Sequence, residues 1–189
     1  MRDLIAPAPC LLTRVQEGDI SDALPDPAWI VLHDRHADIA GARRLAAACL
    51  PVETPRLLVR SARTQTRGSL GPPVGPFWFI GALTRPELST LGDGLAQLER
   101  LLAEIHAPHV AILAQGEGAV VALCLALLRP DRITRLHLVG GAIPENLARM
   151  PLEMPCLARM QITTDDDAVR EPLQRVFPLG VVTVTKPTG

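Results

Sequence analysis

A five-residue turn, Ala-Gln-Gly-Glu-Gly at positions 114–118, has the residue types and spacing most suggestive of chemistry in this sequence. It lies between two apolar runs, so we expect a strand, a sharp turn and a helix. Small residues two places either side of the centre, Ala114 and Gly118, let the strand and the helix pack closely. Such a turn can hold a nucleophile at its centre on strained backbone. The central residue here is Gly116, which has no nucleophilic atom, and the alternative interpretation is a simple glycine turn.

Three consecutive acidic residues, Asp165, Asp166 and Asp167, form a second candidate group. A carboxylate at this point could orient a histidine in a hydrolytic triad. The alternative is a cap for the helix that follows, because Asp is a preferred N-cap residue and the helix dipole favours negative charge there. We favour the capping interpretation, since no nucleophile is present for a triad to serve.

Histidines supply the third candidate group, and the chain has five of them. His33 and His36 have a spacing that a metal site could use, but no third ligand is evident, so we predict no metal. Asp34 directly follows His33. The last histidine of the sequence is His137. We expect no cofactor of any kind.

Alternating strands and helices must position these groups. Continuous apolar runs of strand length, such as Trp29–His33, are typical of a parallel sheet that is covered on both faces. The sequence predicts strands at Cys10–Val15, Trp29–His33, Arg56–Arg60, His109–Leu113, Arg135–Val139, Leu157–Ile162 and Val181–Thr185, and helices at Asp38–Leu50, Glu87–His106, Ala119–Leu128 and from the acidic run to about Val176. Their alternation predicts an α/β fold, with a mostly parallel sheet and helices on both faces. We expect residues 1–189 to form one domain, without a cap domain.

Bulk composition limits the classes of partner. The chain carries 19 basic and 20 acidic residues with no block of like charge, which argues against nucleic acid as an obligatory partner. The longest apolar stretch without a charge, Ala119–Leu128, is about half of what spans a bilayer, so no membrane span is expected. The four cysteines lie in apolar segments without metal-ligand spacing, and free thiols fit a reducing cytoplasm.

The order of the elements and several local motifs resemble the serine carboxylesterase/phospholipase family of α/β-hydrolases, over roughly residues 10–189. The motifs are Val31–His33, which resembles the strand before the oxyanion-hole turn; Pro76–Phe79, the Trp-Phe segment before the long helix; Ile112–Ala119, the nucleophile elbow; Gly140–Pro144, the segment after the next strand; and Asp165–Val169, the loop of the catalytic aspartate. The resemblance implies a single α/β-hydrolase-like domain.

The same resemblance implies a degenerate active site. Gly116 stands where the family has its nucleophilic serine, and one of residues 165–167 stands where it has its acid. After His33 the family pattern has glycines, whereas this chain has Asp34, which would place a negative charge where an oxyanion should develop. The family's histidine in the loop after the last strand has no counterpart.

We therefore predict a non-catalytic α/β-hydrolase homologue, a pseudoenzyme that acts as a binding or scaffold protein, for example as a subunit of a larger assembly. The alternative is a carboxylesterase or thioesterase relative with an unusual or incomplete site. Expected partners are a protein or a second copy of the chain, contacted through a long loop predicted at residues 61–86, which holds the aromatic residues 77–79, or through the strand edge near Val181–Thr185. For at least one of the three aromatic residues we favour packing on the sheet. A small acyl ligand in the vestigial cleft is a further candidate. The sequence names neither the ligand nor the pathway.

Overall fold

A seven-stranded sheet carries the fold in the computed structural model, which describes residues 12–18, 27–67, 71–148 and 159–185. The strands are β1 (Thr13–Glu17), β2 (Ala28–Leu32), β3 (Arg56–Arg60), β4 (Arg63–Thr66), β5 (Pro73–Phe77), β6 (Gly81–Ala82), β7 (Arg85–Pro86), β8 (Val110–Gln115), β9 (Ile133–Val139), β10 (Gln161–Thr164) and β11 (Val181–Val184). The helices are α1 (Ile39–Cys49), α2 (Leu88–Glu104), α3 (Glu117–Leu128), α4 (Glu145–Ala148) and α5 (Arg170–Val176).

The strand order in the main sheet is β1-β3-β2-β8-β9-β10-β11. Only β1 runs antiparallel to its neighbour, and the remaining pairs are parallel. The pairing of β2 with β8 sets Leu32 opposite Ala114. Because both strands end at this level, the loop that begins at His33 meets the turn at 114–118. The predicted mostly parallel α/β sheet is confirmed.

Helices cover both faces of the sheet, as predicted. Helix α1 packs over one face, against Val31, Leu58 and Leu113. Helices α2, α3 and α5 bury the opposite face, which includes Ile30 and Ile112. Successive residues of β2 and β8 therefore point into different cores, which explains why these strands are apolar without alternation.

Local signals account for the helix ends where the prediction succeeded. Asp38 is the N-cap of α1, and its side chain accepts hydrogen bonds from the backbone N–H of Ala40 (2.9 Å) and Gly41 (3.1 Å). This capping sets the start of the helix predicted at Asp38–Leu50. The hydrogen bonds lower the pKa of the Asp38 carboxyl below its ordinary value, that of Gly41 N–H most.

Several boundaries differ from the prediction. Strand β10 begins at Gln161 rather than Leu157, and the residues before Arg159 in that prediction lie outside the described part. The same is true of the first residues of the strand predicted at Cys10–Val15. Helix α3 begins at Glu117, two residues before the predicted start at Ala119, because the turn that precedes the helix ends at Gly116. The region predicted as one long loop, residues 61–86, contains two short antiparallel hairpins, β4–β5 and β6–β7. Within the described residues, none of the helices is long and apolar enough to cross a bilayer.

Candidate functional site

Gly116 forms the turn between β8 and α3 with backbone angles φ +53° and ψ −113°. This positive φ lies in a region that L side chains rarely adopt, so the backbone here is strained for any residue except glycine. The turn is also crowded, because a Cβ at Gly118 would lie 2.7 Å from the carbonyl oxygen of His33. Ala114, on the strand side, is fully buried. The small residues at 114 and 118 thus meet a close approach of strand and helix.

The carboxylate of Asp34 lies directly over Gly116. A Cβ at position 116 would lie 2.6 Å from Asp34 Oδ2 and closer still to Oδ1 and Cγ. Asp34 Oδ1 accepts two backbone hydrogen bonds, from Glu117 N at 2.9 Å and from Arg35 N at 2.7 Å. One carboxylate therefore fills the space above the turn and binds the first N–H of α3.

The position of this carboxylate is electrostatically favourable. The first N–H groups of a helix have no partner within the helix, and the helix dipole adds partial positive charge at this end. A carboxylate oxygen is the kind of group that such a site binds. Asp34 is thus an anionic ligand of the α3 N-terminus, supplied by the loop after β2.

An ion pair joins the two residues whose N–H groups contact Asp34. The guanidinium of Arg35 pairs with Glu117 Oε1, and Glu117 Oε2 accepts a hydrogen bond from Trp78 N at 2.9 Å. Arg35 Nη2 also donates to the carbonyl oxygen of Gly81 at 2.7 Å. The Glu117 side chain is only 1% exposed. Burial raises the pKa of its carboxyl, although Trp78 N–H and Arg35 oppose the shift.

The sequence prediction missed this ion pair. Arg35 and Glu117 are 82 positions apart, and neither stands in a motif that requires the other. The only local signal was the acidic residue in the first turn of α3, where the helix dipole favours negative charge.

His33 is a buried structural residue in this site. Its Nε2 accepts a hydrogen bond from Ser61 N at 3.0 Å, so the ring proton is on Nδ1, which donates to Asp34 O at 2.6 Å. The ring stacks on Trp78 with a centroid separation of 5.2 Å, and Trp78 Nε1 donates to His33 O at 2.9 Å. Burial lowers the pKa of His33, which favours the neutral ring.

The metal alternative for His33 and His36 finds no support in this geometry. Both ring nitrogens of His33 face protein groups, and His36 Nε2 contacts Gln65 Oε1 at 2.8 Å. Across the described ranges, no cluster of three or more His, Cys, Asp or Glu could hold a metal ion.

The acidic run after β10 contacts backbone N–H groups. Asp165 Oδ1 accepts from Gly140 N at 2.9 Å, which links the ends of β10 and β9. Asp166 Oδ1 accepts from Ala168 N at 2.9 Å and caps a short 3₁₀ helix at Asp167–Val169. The capping alternative is therefore confirmed for Asp166.

The aromatic residues 77–79 pack mainly inside the protein. Trp78 is 1% exposed and Phe79 is fully buried, so neither can anchor a partner on the surface. The packing role favoured for at least one of these aromatic residues is confirmed for Phe79 and for Trp78, which stacks on His33. On the predicted strand edge, Val182 is also buried, whereas Val181 is 65% exposed.

An apolar cleft lies beside the first turns of α3. It is bounded by α3, the end of β9, the segment after it and α5. Its lining includes Ala119, Leu123, Leu138, Ile143, Val169 and Leu173. The lining is mainly apolar and presents no charged group to the cleft.

Solved structures of carboxylesterases are similar to this chain. A Bacillus cereus carboxylesterase aligns with a TM-score of 0.71 at 17% identity. The alignment covers 95% of this chain and 86% of the Bacillus chain. A phospholipase/carboxylesterase from Dyadobacter fermentans aligns with a TM-score of 0.68 at 14% identity. The alignment covers 95% of this chain and 88% of the Dyadobacter chain. A carboxylesterase from Mesorhizobium loti aligns with a TM-score of 0.61 at 19% identity. The alignment covers 86% of this chain and 80% of the Mesorhizobium chain.

Sequence comparisons add no closer relationship. No protein-family model matches the sequence, and no curated protein matches it significantly. Structural similarity at such low sequence identity establishes the fold and not the function, because one fold hosts many functions. The predicted fold is confirmed on this ground: the chain has the α/β-hydrolase fold that the carboxylesterases also have.

Proposed function

We propose that this protein is a non-catalytic α/β-hydrolase homologue that acts by binding and not by hydrolysis. The observation that carries the proposal is the Asp34 carboxylate, which fills the space over Gly116 and accepts both nearby N–H groups. Serine hydrolysis on this fold needs a nucleophile at the turn, free N–H donors for the oxyanion, and a general base. Each of these three requirements is unmet or obstructed in this chain.

The nucleophile and the oxyanion donors are affected together. Gly116 has no side chain, and Asp34 Oδ1 contacts Glu117 N and Arg35 N, the donors that an ester oxygen would need. A substrate carbonyl would have to displace this carboxylate and then develop negative charge beside it. Removal of one such donor costs an enzyme roughly 10²–10³ in rate, and here both are engaged.

The partly buried thiol of Cys124 offers no replacement nucleophile. It lies in α3, where burial raises its pKa to about 11. A thiol with such a pKa is almost entirely protonated at neutral pH and is a poor nucleophile.

Neither His33 nor His137 is well suited to act as a general base. His33 uses Nε2 to accept from Ser61 N–H, and its ring lies buried against Trp78. His137 lies within β9 and not in a loop. Burial lowers the pKa of both rings.

The acid position supports the same proposal. Asp165 and Asp166 bind backbone N–H groups of Gly140 and Ala168. Their carboxylates thus have structural partners already, and neither contacts a histidine through a hydrogen bond in the described part of the chain.

A macromolecular partner or a second copy of the chain is the proposed binding target, in the cytoplasm. Val181 on β11 is the exposed apolar residue at the predicted strand edge, and a strand edge can pair with another chain. A small acyl compound in the apolar cleft is the second ligand class that we retain.

Ester hydrolysis tests the proposal directly. The purified protein should turn over p-nitrophenyl acetate and butyrate at the rate of buffer alone, and a fluorophosphonate probe should not label it. Turnover that a Ser61→Ala control lowers would instead support the alternative of an enzyme with an unusual site, since Ser61 is the hydroxyl residue whose backbone contacts His33. Native mass measurement of the wild type and of Val181→Lys then tests whether the β11 edge holds a second copy.

A further inference from the structure

We propose that two copies of this chain associate through strand β11, whose outer edge pairs antiparallel with its own counterpart about a twofold axis at Thr183. The inference rests on the proposed function, which names a second copy as a binding target at this edge, and it deepens that function by assigning the register. In this register Val182 of one copy lies opposite Val184 of the other, and Thr183 lies opposite its own counterpart.

The backbone of β11 presents alternate residues to its outer edge, the side away from β10. In the described part of the chain β11 is the last strand of the sheet, and it pairs in parallel with β10. The N–H groups of Val181 and Thr185 bond carbonyl oxygens on the β10 side. Since backbone groups alternate in direction along a strand, the N–H and C=O groups of Val182 and Val184 point outward. These groups are available to another strand.

The hydrogen bonds of the residue before β11 select the register. Gly180 is the next outward-facing residue, but its N–H and its carbonyl oxygen are already bonded, at 2.9 and 3.1 Å, to α5 and the turn after it. A register centred on Val182 would set Gly180 opposite Val184 and leave that pair without free groups on one side. A register centred on Thr183 uses only the groups of Val182 and Val184, and each donor then meets an acceptor.

The side chains of β11 suit contact with a second copy. Val181 is 65% exposed, and no residue from Val181 to Thr185 is charged. The twofold register places Val181 opposite Thr185 and Thr183 opposite its counterpart, and pairs of threonines across antiparallel strands are favourable. The contact therefore removes exposed apolar surface from water without burying a charge of the strand.

Charges on the flanking helix also match those of a second copy. Helix α5 packs on β11 and carries Glu171 and Arg175 on its exposed surface, where they form an ion pair. A twofold operation reverses the order of these charges along the interface. Unlike charges then face each other where the two helices meet, which favours the antiparallel arrangement over a parallel one.

The opposite edge of the sheet is protected against such pairing. Strand β1 carries Arg14, which pairs with Glu104, and Glu17, which pairs with arginines of α1 and β3. Charged side chains on an edge strand oppose pairing with another chain. Residues 181–185 offer no charge of this kind, so association is favoured at the β11 edge.

Sedimentation velocity of the full chain between about 1 µM and about 200 µM measures the association. The contact is small, which predicts a dissociation constant in the micromolar range, so the wild type should pass from monomer to dimer over this series. Thr183→Lys and Thr183→Asp should each raise the dissociation constant at least about tenfold, because like charges then meet across the axis. An equimolar mixture of the two variants should restore the dimer, since lysine then faces aspartate.

Cross-linking provides a second measurement of the register. Under mild oxidation Thr183→Cys should form a disulfide with its own counterpart, because the Cα atoms of a non-hydrogen-bonded antiparallel pair are about 4.5 Å apart. Val181→Cys lies on the same face of the strand, but its counterpart is displaced by about 13 Å along the strand. It should cross-link no more than the wild type, which controls for the native cysteines.

Leu88→Lys and Leu88→Asp are the matched charge controls, at a position in α2 that is 66% exposed. Both should dimerise as the wild type does. A wild type that stays monomeric at the highest concentration would overturn the inference, as would a dimer that Thr183→Lys leaves intact or equal cross-linking of Thr183→Cys and Val181→Cys. Ester hydrolysis by the wild type would overturn the proposed function whatever its mass, whereas an inactive, monomeric wild type would overturn this inference alone.

Discussion

Gly116 and the carboxylate of Asp34 require the same space: a Cβ at position 116 would lie 2.6 Å from Asp34 Oδ2, and nearer to Oδ1. A side chain at 116 and the observed Asp34 rotamer therefore exclude each other. Since Asp34 also contacts Glu117 N and Arg35 N, any side chain at 116 changes the occupancy of both N–H groups. This relationship makes the site testable by pairs of substitutions.

Gly116→Ala and Asp34→Ala should be strongly coupled in stability. In the wild type, alanine at 116 is strained at positive φ, which costs about 1–3 kcal/mol, and it also displaces the Asp34 carboxylate from its hydrogen bonds. In the Asp34→Ala background only the strain remains. We expect Gly116→Ala to cost at least about 1 kcal/mol less there, measured as free energies of unfolding in urea.

Gly92→Ala is the matched control for this cycle. A Cβ at Gly92, an exposed position within α2, would meet nothing within 4 Å. Alanine there should stabilise the protein by about 0.5–1 kcal/mol through helix propensity, whichever residue stands at 34. Effects of Gly116→Ala and Asp34→Ala that simply add would contradict the shared space.

Restoring a hydroxyl at the turn should not restore hydrolysis. Gly116→Ser must displace Asp34, and no histidine contact in the described structure offers its proton a base. General-base assistance is worth roughly 10²–10⁴-fold, so p-nitrophenyl butyrate turnover by Gly116→Ser should remain near that of the wild type. The double variant with Asp34→Ala should also resist a fluorophosphonate probe. A robust gain in rate in either variant would reveal a base and refute the proposed loss of catalysis.

Removal of the Arg35 charge should destabilise the protein through Glu117. Arg35→Met would leave a carboxylate that is 1% exposed without its cation. Breaking a fully buried pair costs roughly 3–5 kcal/mol. Because the Arg35 side chain is 38% exposed, solvent screens part of the interaction, and we expect about 2–3 kcal/mol. Adding Glu117→Gln should recover part of this loss, and urea unfolding of the wild type and the two variants measures both effects.

The Glu117 carboxyl should also make stability depend on pH. Its pKa in the folded protein is raised above the ordinary 4.5, chiefly by burial. The folded state then binds the proton more tightly than the unfolded state, so this contribution is fully present below about pH 4.5 and is lost as the pH rises through the folded pKa. Between about pH 4 and about pH 7, the unfolding free energy of the wild type should therefore fall relative to that of Glu117→Gln. A constant difference would contradict the raised pKa.

Trp78 should matter for stability before it matters for any partner. The side chain is buried, stacks on His33 and donates to its carbonyl oxygen. Trp78→Ala should cost about 3–5 kcal/mol, as is usual when a large buried aromatic residue is truncated. Leu88→Ala, at a position that is 66% exposed, should change stability by less than about 0.5 kcal/mol. Thermal and urea unfolding give the comparison.

Local patterns predicted much of the fold. The apolar run at Trp29–His33 and the helix start at Asp38 follow from side-chain pattern and capping chemistry, which act between residues close in the sequence. The hairpin of residues 63–77 was missed, because its pairing includes a shift in register and proline within β5. Proline is unusual in strands, so a propensity argument assigns such a segment to a loop.

The sequence by itself determined that the turn at 114–118 has glycine at its centre, because residue identity needs no coordinates. Only the tertiary structure decided that the Asp34 carboxylate lies over Gly116 and that Arg35 pairs with Glu117. The physical reason is the parallel pairing of β2 with β8, which brings together two strand ends about 80 residues apart. No local pattern encodes which side chains meet across that pairing, since the outcome depends on packing and on which backbone N–H groups remain free at the start of α3.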